Sequence, residues 1–379
     1  MTGAATPSLR VLRVYHSGVV KAWRARDHAM CDLGVDVTLV CARAWNEGGA
    51  VVRPDLGEGD DGVRPMRTFG THPNLFAYDP LALWRSLRAG RYDVLDVHEE
   101  PVSVAAAETQ LLARIAGVRA PFCLYSAQNI EKRYPVPFRW MERVALRRAS
   151  AVHTCNEDAG RILRAKGFRG ILRNLGLGVD VERFAPARDR DDEPAEINEL
   201  RIGYVGRIEA RKGVHVLVDA VARIPHATLD LVGDGPERAA VEAQIARLRV
   251  GHRVHVSGYA SQDDLPDRYR TFDVVAVPSL ESPGWIEQFG RVAVEAMASG
   301  VPVVASDSGS LPEVVGDAGI LVAPGDVTAL TDALCRLVAD PGERRRLGAV
   351  AQQRAQRWSW RHIAAEQVEL YRAMVARAA

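Results

Sequence analysis

Short β-branched runs alternate with longer helical patterns along almost the whole chain, and this alternation limits the fold more than any other feature. In the first half, strands are predicted at residues 11–16, 35–41, 93–98, 121–125 and 151–155. Helical patterns lie between them, among them 23–33, 102–116 and 138–149. Strands separated by helices predict a parallel sheet built from βαβ units.

The alternation restarts after the charge-rich stretch 186–199, which has no hydrophobic pattern and predicts a solvated linker near a domain boundary. A second parallel sheet is predicted from strands at 200–205, 229–232, 254–257, 274–277 and 303–305. Helices are predicted at 214–223, 237–248 and 291–298. Beyond Val322 the chain turns helical, with patterns at 329–338, 344–357 and 361–378.

A chain of 379 residues exceeds the usual size of one hydrophobic core, so the sequence predicts two domains. The simplest architecture is an α/β chain of two Rossmann-like domains whose parallel sheets face a cleft. We expect the first domain at 1–185, the second at 186–360, and a C-terminal helix at 361–379 that packs on the first domain. Ligands of open parallel sheets bind beyond the carboxyl ends of the strands, so the following loops are the candidate sites.

Composition excludes several classes of protein. The chain has 49 basic and 48 acidic residues, a balance that argues against a surface built to bind nucleic acid. Its five scattered cysteines form no C-x-x-C pair, so neither a zinc site nor a disulfide framework is supported. Arginine dominates the basic residues, so a lysine within a motif is informative; the lysines are Lys21, Lys132, Lys166 and Lys212.

The segment Gly203-Tyr-Val-Gly-Arg207 ends the first strand of the second set, and Arg211, Lys212 and Gly213 follow it before a predicted helix. Glycine permits close backbone approach, and cations beside a helix N-terminus suit a diphosphate. Arg207 and Lys212 are therefore predicted to hold phosphates. A solvated basic loop is the alternative. The motif G-x-x-x-x-G-K-[ST] is missing, so an ATPase P-loop is unsupported.

Two glutamates flank the motif Glu287-Gln-Phe-Gly-Arg-Val-Ala-Val-Glu295. Phe289 and Gly290 are predicted to open a helix, leaving Glu287 in the preceding loop and Glu295 two turns into the helix. Eight helical residues rise about 12 Å and rotate roughly 800°, so the two carboxylates cannot face one small group. We expect them to grip the two ends of an elongated ligand, with phosphate oxygens at the helix N-terminus. Ordinary surface or buried glutamates are the alternative.

This motif, continued as Ala-Met-Ala-Ser-Gly-Val-Pro-Val-Val-Ala-Ser-Asp307, resembles the signature of glycosyltransferase family 4, whose members have the GT-B fold. Further segments are similar to the family's motifs and follow in the same order: 174–186, 203–213, 232–236 and 308–313. The resemblance covers nearly the whole second domain. It implies a glycosyltransferase that takes its sugar from a nucleotide-sugar donor.

The resemblance also implies roles for individual residues. Arg207 and Lys212 would hold the donor diphosphate, and Glu295 the ribose hydroxyls. Glu287, with the backbone amides of Phe289 and Gly290, would hold the transferred sugar, and Tyr259 would lie near the base. The implied donor-binding residues are Gly18, Arg207, Lys212, Gly233, Tyr259, Glu287, Phe289, Gly290, Arg291 and Glu295. The catalytic residues among them are Glu287, Arg207 and Lys212.

Members of the family are retaining and need no metal, so the resemblance implies a nucleotide sugar as co-substrate and no cofactor. In the usual account the leaving phosphate helps to deprotonate the acceptor on the same face, and no protein nucleophile is required. The partners implied are therefore a nucleotide sugar and an acceptor alcohol.

The first domain agrees less closely with the family. Its first strand is followed by a loop with one glycine, Gly18, where the family often has two. Gln128 stands where many members have a histidine near the donor sugar, and an amide does not act as a base near pH 7. His98, after a strand, is the better histidine candidate, with a structural role as the alternative. The predicted acceptor-binding residues are His98, Gln128, Asn129, Arg133 and Arg24.

Residues 131–148 carry six cations and two acids, with Phe138, Trp140 and Val144 interleaved. This pattern predicts either a contact with anionic lipid or an amphipathic helix whose apolar face lies in the core. The first residues have no signal-peptide core, and no apolar run approaches the roughly 20 residues that span a bilayer. We therefore expect a cytoplasmic protein, at the inner face of the membrane if 131–148 binds lipid.

Three other functions fit the sequence less well. A sugar-nucleotide epimerase with the GT-B fold shares the architecture, but the ordered family 4 motifs favour a transferase. A two-lobed sugar-binding protein also has paired α/β domains, but has no need of a phosphate clamp. A dinucleotide oxidoreductase is disfavoured, because no G-x-G-x-x-G follows the first strand.

Overall fold

The computed structural model describes residues 8–47, 50–186 and 200–378, and these residues form two α/β units. Unit 1 contains the described residues up to Gly178 together with those from Trp360 onward, and unit 2 spans Val179–Ser359. Residues 187–199 of the predicted linker lie outside the described residues. The predicted α/β class with two parallel sheets is confirmed.

Unit 1 is built on a parallel sheet. Its strands in chain order are β1 Arg10–Val14, β2 Asp36–Ala42, β3 Trp45–Glu47, β4 Ala50–Val52, β5 Val63–Met66, β6 Thr68–Phe69, β7 Ala77–Tyr78, β8 Val94–Val97, β9 Phe122–Ser126, β10 Ala151–Thr154 and β11 Ile171–Asn174. Seven of them form one sheet in the order β11-β10-β9-β8-β1-β2-β5, and every neighbouring pair is parallel. The short strands β3 and β4 pair antiparallel, as do β6 and β7.

Polar residues fix where several helices of unit 1 begin. These helices are α1 Lys21–Asp32, α2 Pro80–Ala89, α3 Val104–Ile115, α4 Phe138–Arg148 and α5 Glu157–Ala165. Asp79, Ser103 and Asn156 precede α2, α3 and α5, and each side-chain oxygen accepts first-turn backbone hydrogen bonds of 2.7 to 3.1 Å. Those amides have no partner within the helix, so the side chains satisfy them and set the helix starts.

Helix α4 is amphipathic, as the second alternative for residues 131–148 predicted, and the lipid contact of the first alternative stays a prediction. Leu146 packs in the core of the unit, whereas Trp140 is 64% exposed and Val136, just before the helix, is 68% exposed. The cations Arg139, Arg143 and Arg147 are exposed as well. None of the helices within the described ranges has the length and hydrophobicity required to traverse a lipid bilayer.

Unit 2 repeats the arrangement on a second sheet. Its strands are β12 Leu200–Val205, β13 Ala227–Val232, β14 Val254–Gly258, β15 Val274–Val277, β16 Val303–Ser306 and β17 Gly319–Val322. Its helices are α6 Val214–Ala222, α7 Arg238–Leu248, α8 Leu265–Thr271, α9 Arg291–Ala298, α10 Leu311–Val315, α11 Val327–Ala339 and α12 Pro341–Ala355. The strand order is β14-β13-β12-β15-β16-β17, and all neighbours are parallel.

The last helix, α13 (Trp360–Ala378), belongs to unit 1. Its apolar face forms one buried cluster with α1 and the sheet: Ala364, Val368, Leu370, Tyr371, Met374, Met30, Val11, Val94 and Cys123. These α13 positions recur at helical spacing, so one stripe of the helix faces inward. The hydroxyl of Tyr371 also donates a hydrogen bond of 2.7 Å to Asp96 in β8. α13 therefore completes the interior of unit 1.

In each sheet the strand order reverses at one point. β1 is followed on one side by β2 and β5 and on the other by β8 to β11, so the switch point of unit 1 lies between β1 and β8. In unit 2 the switch point lies between β12 and β15. Ligands of such sheets bind beyond the carboxyl ends of the strands at this point. The loops after these four strands are therefore the places to look for a site.

Candidate functional site

The loops that follow β12 and β13 lie in direct backbone contact. The amide of Gly206 donates a hydrogen bond of 3.0 Å to the carbonyl of Val232. A Cβ atom on Gly233 would lie 1.8 Å from the carbonyl oxygen of Gly206. The φ angles of Gly206 and Gly233 are 145° and 151°, values that side chains disfavour. Only glycine fits at Gly233, and its contact with the donor stays a prediction.

Two further loops meet across the switch point of unit 2. A Cβ on Gly213 would lie 1.9 Å from the carbonyl oxygen of Pro278, and the φ angle of Gly213 is 67°. The amide of Leu280 donates a hydrogen bond of 2.8 Å to the carbonyl of Arg211. The loop after β12 is thus held against the loop after β15, at the position where the fold favours a ligand.

Lys212 and Glu287 form an ion pair between these loops. Lys212 Nζ lies 2.7 Å from Glu287 Oε2, and the Ser279 hydroxyl donates a hydrogen bond of 2.9 Å to the same oxygen. The Glu287 side chain is 12% exposed and that of Lys212 is 26% exposed. Two of the predicted catalytic residues are therefore in contact, and part of the lysine side chain still faces solvent.

Arg207, the third predicted catalytic residue, pairs with Glu209. Arg207 Nε lies 2.5 Å from Glu209 Oε1, and Arg211 Nε lies 2.7 Å from Oε2 of the same carboxylate. The side chains of Arg207 and Arg211 are 55% and 43% exposed. Exposed ion pairs contribute at most about 1 kcal/mol, so a phosphate group can replace Glu209 at either arginine with little cost.

Helix α9 begins directly after Gly290, as predicted, with Glu287 in the preceding loop. The φ angle of Gly290 is 80°, and a Cβ there would lie 2.5 Å from Leu311 Cδ2. Because the first helical residue is Arg291, Glu295 lies about one turn into the helix. The predicted depth of two turns was wrong, because the four residue steps from Arg291 to Glu295 make only slightly more than one turn.

Glu295 is 6% exposed and accepts a hydrogen bond of 2.8 Å from the Tyr269 hydroxyl. Burial raises the pKa of Glu295, and the Arg291 charge and this hydrogen bond oppose the increase. Among the other predicted donor residues, Phe289 is buried at 3% exposure and Tyr259 is 81% exposed. Tyr259 follows β14, the edge strand two positions from β12. The structure brings together Lys212 and Glu287, but gives no contact between Tyr259 and them.

Three residues that hold this loop cluster were not among the predicted site residues. Besides Ser279, Trp285 lies with its ring centroid 4.8 Å from Arg211 Cζ and 4.9 Å from Lys212 Nζ, which is cation–π range. The backbone amide of Ser310 donates a hydrogen bond of 3.0 Å to the carbonyl of Glu287. Ser279 closely follows β15, and Ser310 closely follows β16 within the segment 308–313 that resembles a family motif, whereas Trp285 has neither signal.

In unit 1, Gly18 and Arg24 lie in the interior. A Cβ on Gly18 would lie 3.0 Å from Leu39 Cδ2. Arg24 is 0% exposed, and its guanidinium donates hydrogen bonds of 2.9 and 3.1 Å to Asp60 and of 3.0 Å to the carbonyl of Gly18. Arg24 anchors the loop after β1. The acceptor contact predicted for it does not fit this structure, because its side chain is buried.

His98 is also buried, at 5% exposure. Its ring stacks on Tyr125 with the centroids 4.0 Å apart, and its Nδ1 lies 3.5 Å from Arg13 Nη2. Burial lowers the pKa of His98, and the neighbouring His153, Arg26 and Arg13 lower it further, so the ring is neutral at pH 7. The structure favours the alternative stated for His98, a structural histidine.

Asp96, His98 and His153 form a buried cluster whose ligand atoms lie within 4.8 Å of one another. A carboxylate with two imidazoles is a donor set that transition metals accept. Asp96 Oδ2, however, accepts a hydrogen bond of 2.8 Å from Arg13 Nε, and Arg13 also pairs with Asp27. A guanidinium at this distance repels a second cation, so we interpret the cluster as a buried ion-pair network. The expectation that the protein needs no metal stays a prediction.

The remaining predicted acceptor residues lie after β9. Gln128 is partly exposed, and its Nε2 donates a hydrogen bond of 2.9 Å to the carbonyl of Ile130. Asn129 is 6% exposed, whereas Arg133 is exposed. Gln128 and Arg133 are therefore accessible to an acceptor, and their roles stay predictions.

Known proteins resemble both units. The sequence model described as "Glycosyl transferase 4-like domain" matches residues 17–173, and the one described as "Glycosyl transferases group 1" matches residues 187–354. The chain is 32% identical to the 2-deoxystreptamine glucosyltransferase of Streptomyces kanamyceticus, over 66% of this chain and 69% of that protein. It is 36% identical to a D-inositol 3-phosphate glycosyltransferase of Corynebacterium urealyticum, over 52% of this chain and 50% of that protein.

The chain thus spans about half the length of the corynebacterial relative. Among solved structures, the sucrose-phosphate synthase of Thermosynechococcus elongatus superposes with a TM-score of 0.73 at 24% identity, covering 97% of this chain and 100% of that one. That likeness shows a shared fold. With both family models matched and a relative aligned over most of its length, the chain belongs to glycosyltransferase family 4 and has the GT-B fold.

Proposed function

We propose that the protein is a retaining glycosyltransferase that moves a sugar from a UDP- or GDP-sugar to a hydroxyl group of an acceptor. The observation that carries the proposal is the Lys212–Glu287 pair at the switch point of unit 2. It places a cation and a carboxylate together where the fold favours a ligand. An ammonium suits a diphosphate, and a carboxylate suits sugar hydroxyls.

In this proposal Lys212 and Arg207 bind the donor diphosphate. Each is already paired with a carboxylate, Glu287 or Glu209, and each is partly exposed, so both can turn to an incoming phosphate. Helix α9 begins four residues beyond Glu287, and its N-terminus adds backbone amides and the positive end of the helix dipole.

Glu287 then accepts hydrogen bonds from the hydroxyl groups of the transferred sugar. The Ser279 hydroxyl and the backbone contact of Ser310 keep Glu287 in place when Lys212 turns to phosphate. Glu295, one turn into α9, binds the ribose, and its contact with Tyr269 fixes the carboxyl group. An elongated donor thereby lies along the start of the helix.

For the chemical step we propose that the leaving phosphate takes the proton of the acceptor hydroxyl on the same face of the sugar, without metal and without a protein nucleophile. The curated relatives named above are a glucosyltransferase and a glycosyltransferase, which supports transfer over isomerisation. The acceptor is an alcohol on a glycan, a lipid-linked sugar or a small natural product.

The decisive experiment is a thermal-shift panel of UDP-, GDP- and ADP-sugars, because a ligand that binds only the folded state raises the melting temperature. A rise with one nucleotide sugar, and release of its nucleoside diphosphate in the presence of acceptor, supports the proposal. A rise with free sugars alone favours a sugar-binding protein. Isomerisation of the donor without acceptor favours an epimerase.

A further inference from the structure

Unit 1 has a nitrogen–carboxylate pair at its own switch point. His16 follows β1 and Glu99 follows β8, the two strands between which the order reverses. His16 Nδ1 lies 2.8 and 2.7 Å from the two carboxylate oxygens of Glu99. In unit 2, Lys212 and Glu287 bridge the loops after β12 and β15 in the same way. His16 and Lys212 also have the same local structure, since each lies in a short 3-10 turn before the next helix.

Glu99 is fixed from several sides. Its side chain is 2% exposed, and Oε1 also accepts hydrogen bonds from the His16 backbone amide at 2.9 Å and from the Tyr78 hydroxyl at 3.2 Å. A carboxylate only accepts hydrogen bonds, so Nδ1 of His16 must be the protonated nitrogen. The neutral ring therefore presents Nε2 as an acceptor, the arrangement that a carboxylate imposes on a histidine in a catalytic triad.

Aromatic packing holds the His16 ring while leaving Nε2 accessible. Ring centroids of Trp45 and Phe76 lie 4.5 and 5.1 Å from that of His16. The side chain is 14% exposed. Nε2 has no hydrogen-bond partner among the described residues and is not one of their fully buried unpartnered polar atoms, so it retains some accessible surface. Next to it, the Ser17 hydroxyl donates a hydrogen bond of 2.6 Å to Glu47.

We infer that His16 Nε2 accepts a hydrogen bond from a hydroxyl group of the acceptor, and that Glu99 is the positioning residue that orients the ring. This inference rests on the proposed function, because transfer to an alcohol requires a site that binds one. Ser17 and Glu47 add a hydroxyl and a carboxylate beside the ring, and such groups recognise several hydroxyls at once. The ligand class is therefore a polyhydroxylated alcohol, such as a sugar or a cyclitol.

Binding of this kind depends on pH. Burial lowers the pKa of His16, but the negative charges of Glu99 and Glu47 raise it by more. The pKa of His16 therefore lies above its ordinary value of 6.5. The other titratable neighbours are His98, whose pKa burial lowers, and Tyr78, whose pKa burial raises, so neither carries charge near pH 7. Protonated His16 loses its acceptor lone pair. Affinity for the alcohol then falls as the pH falls through the His16 pKa, and Glu99→Gln moves this loss to lower pH.

The test uses the full chain with isotope-labelled histidine, and NMR follows the imidazole signals during titration with glycerol, myo-inositol and methyl α-D-glucopyranoside. His16→Gln identifies the His16 signals by their loss. We expect at least one probe to shift the His16 Nε2 signal saturably, and Glu99→Gln to lower the His16 pKa. His28→Gln is the matched control, because His28 also pairs with a carboxylate, Asp60, at 3.0 Å but lies on α1. If none of the three probes shifts the His16 signal, the inference is overturned.

Kinetics separate this inference from the proposed function. With the donor chosen by the thermal-shift panel, His16→Ala should raise the KM for the acceptor roughly five- to tenfold. The increase in melting temperature that the donor causes should stay unchanged. His16→Gln should restore binding and remove its dependence on pH. If no nucleotide sugar raises the melting temperature of the unsubstituted protein, the proposed function is contradicted. If the donor raises the melting temperature of His16→Ala as it does in the unsubstituted protein, and the KM for the acceptor is unchanged, the assignment of His16 is contradicted.

Discussion

The ammonium group of Lys212 has two partners in the proposed cycle, the Glu287 carboxylate and the donor diphosphate. We therefore expect Lys212→Ala and Arg207→Ala each to weaken binding of nucleoside diphosphate by roughly 1.5–3 kcal/mol, the usual worth of a charge-assisted contact. Calorimetric titration measures the loss. Arg238→Ala is the matched control, because Arg238 is a cation of unit 2 that pairs with Asp234 and Glu242. Unchanged affinity in both variants would refute the clamp.

Glu287 should behave in a different way from its partner. Its carboxylate is assigned to the sugar, so Glu287→Ala should reduce sugar transfer by more than it reduces binding of the bare diphosphate. Turnover and diphosphate affinity, measured on the same preparation, give the comparison. Equal losses in the two quantities would show that Glu287 does not bind the sugar.

Asp96 stabilises unit 1 from the inside. Burial alone would raise its pKa, but Arg13, His153 and Tyr371 hold the pKa of Asp96 well below its usual range. A depressed pKa contributes stability at pH values above the ordinary pKa of about 3.9 and loses it below. Asp96→Asn leaves Arg13 buried without this partner, so we expect a loss of about 3–5 kcal/mol in the free energy of unfolding at pH 7.

Urea unfolding measures this loss, and the difference from the parent protein should narrow as the pH falls below about 4. Tyr371→Phe, which removes one hydrogen bond to the same carboxylate, should cost only about 1 kcal/mol. A loss in Asp96→Asn no larger than that in Tyr371→Phe would show that the ion pair with Arg13 contributes little.

The sequence predicted individual residues best where a local motif surrounds them. Lys212 and Glu287 stand in such motifs, and the structure joins them. The pair of His16 and Glu99 joins residues 83 positions apart, and neither has a motif of its own. His98 was predicted in preference to Gln128, because an imidazole can act as a base near pH 7 and an amide cannot. The His98 ring is instead held in the interior by packing against Tyr125 and Arg13, which a single sequence does not encode locally.

At the scale of elements, the inner strands were predicted to within one or two residues and most edge strands were missed. β5, β11 and β17 each lie at the edge of a sheet. An edge strand has one neighbour and needs less apolar surface, so its pattern is weaker. β5 contains Pro65, which lacks an amide and is tolerated at an edge. β11 has only two apolar residues, Ile171 and Leu172.

Helix α4 allows the predicted membrane contact to be tested. Trp140 and the exposed arginines are an apolar anchor beside positive charge, a combination that favours anionic lipid. We expect the protein to sediment with vesicles of phosphatidylglycerol more than with phosphatidylcholine vesicles, and added salt to reduce the difference. Trp140→Ser should weaken this binding. Leu81→Ser on α2, which also removes an exposed apolar side chain, is the control. Equal sedimentation with both lipids would contradict the contact.

At the scale of the whole molecule, each unit has its own hydrophobic core. We therefore expect calorimetry to resolve two unfolding transitions. Nucleoside diphosphate should raise only the transition of unit 2, because a ligand stabilises the unit that binds it. Asp96→Asn should lower only the other transition. A single transition that responds to both changes would show that the units unfold together.

The place of α13 in the chain has a consequence for how the molecule is made. Unit 2 is one continuous segment of the chain. One side of the core of unit 1 is formed by α13, which is synthesised only after the whole of unit 2. Domains generally fold as units, the N-terminal one first, during synthesis. Here the order is inverted, so unit 2 can finish folding before α13 packs on Val11, Met30 and Val94 of unit 1.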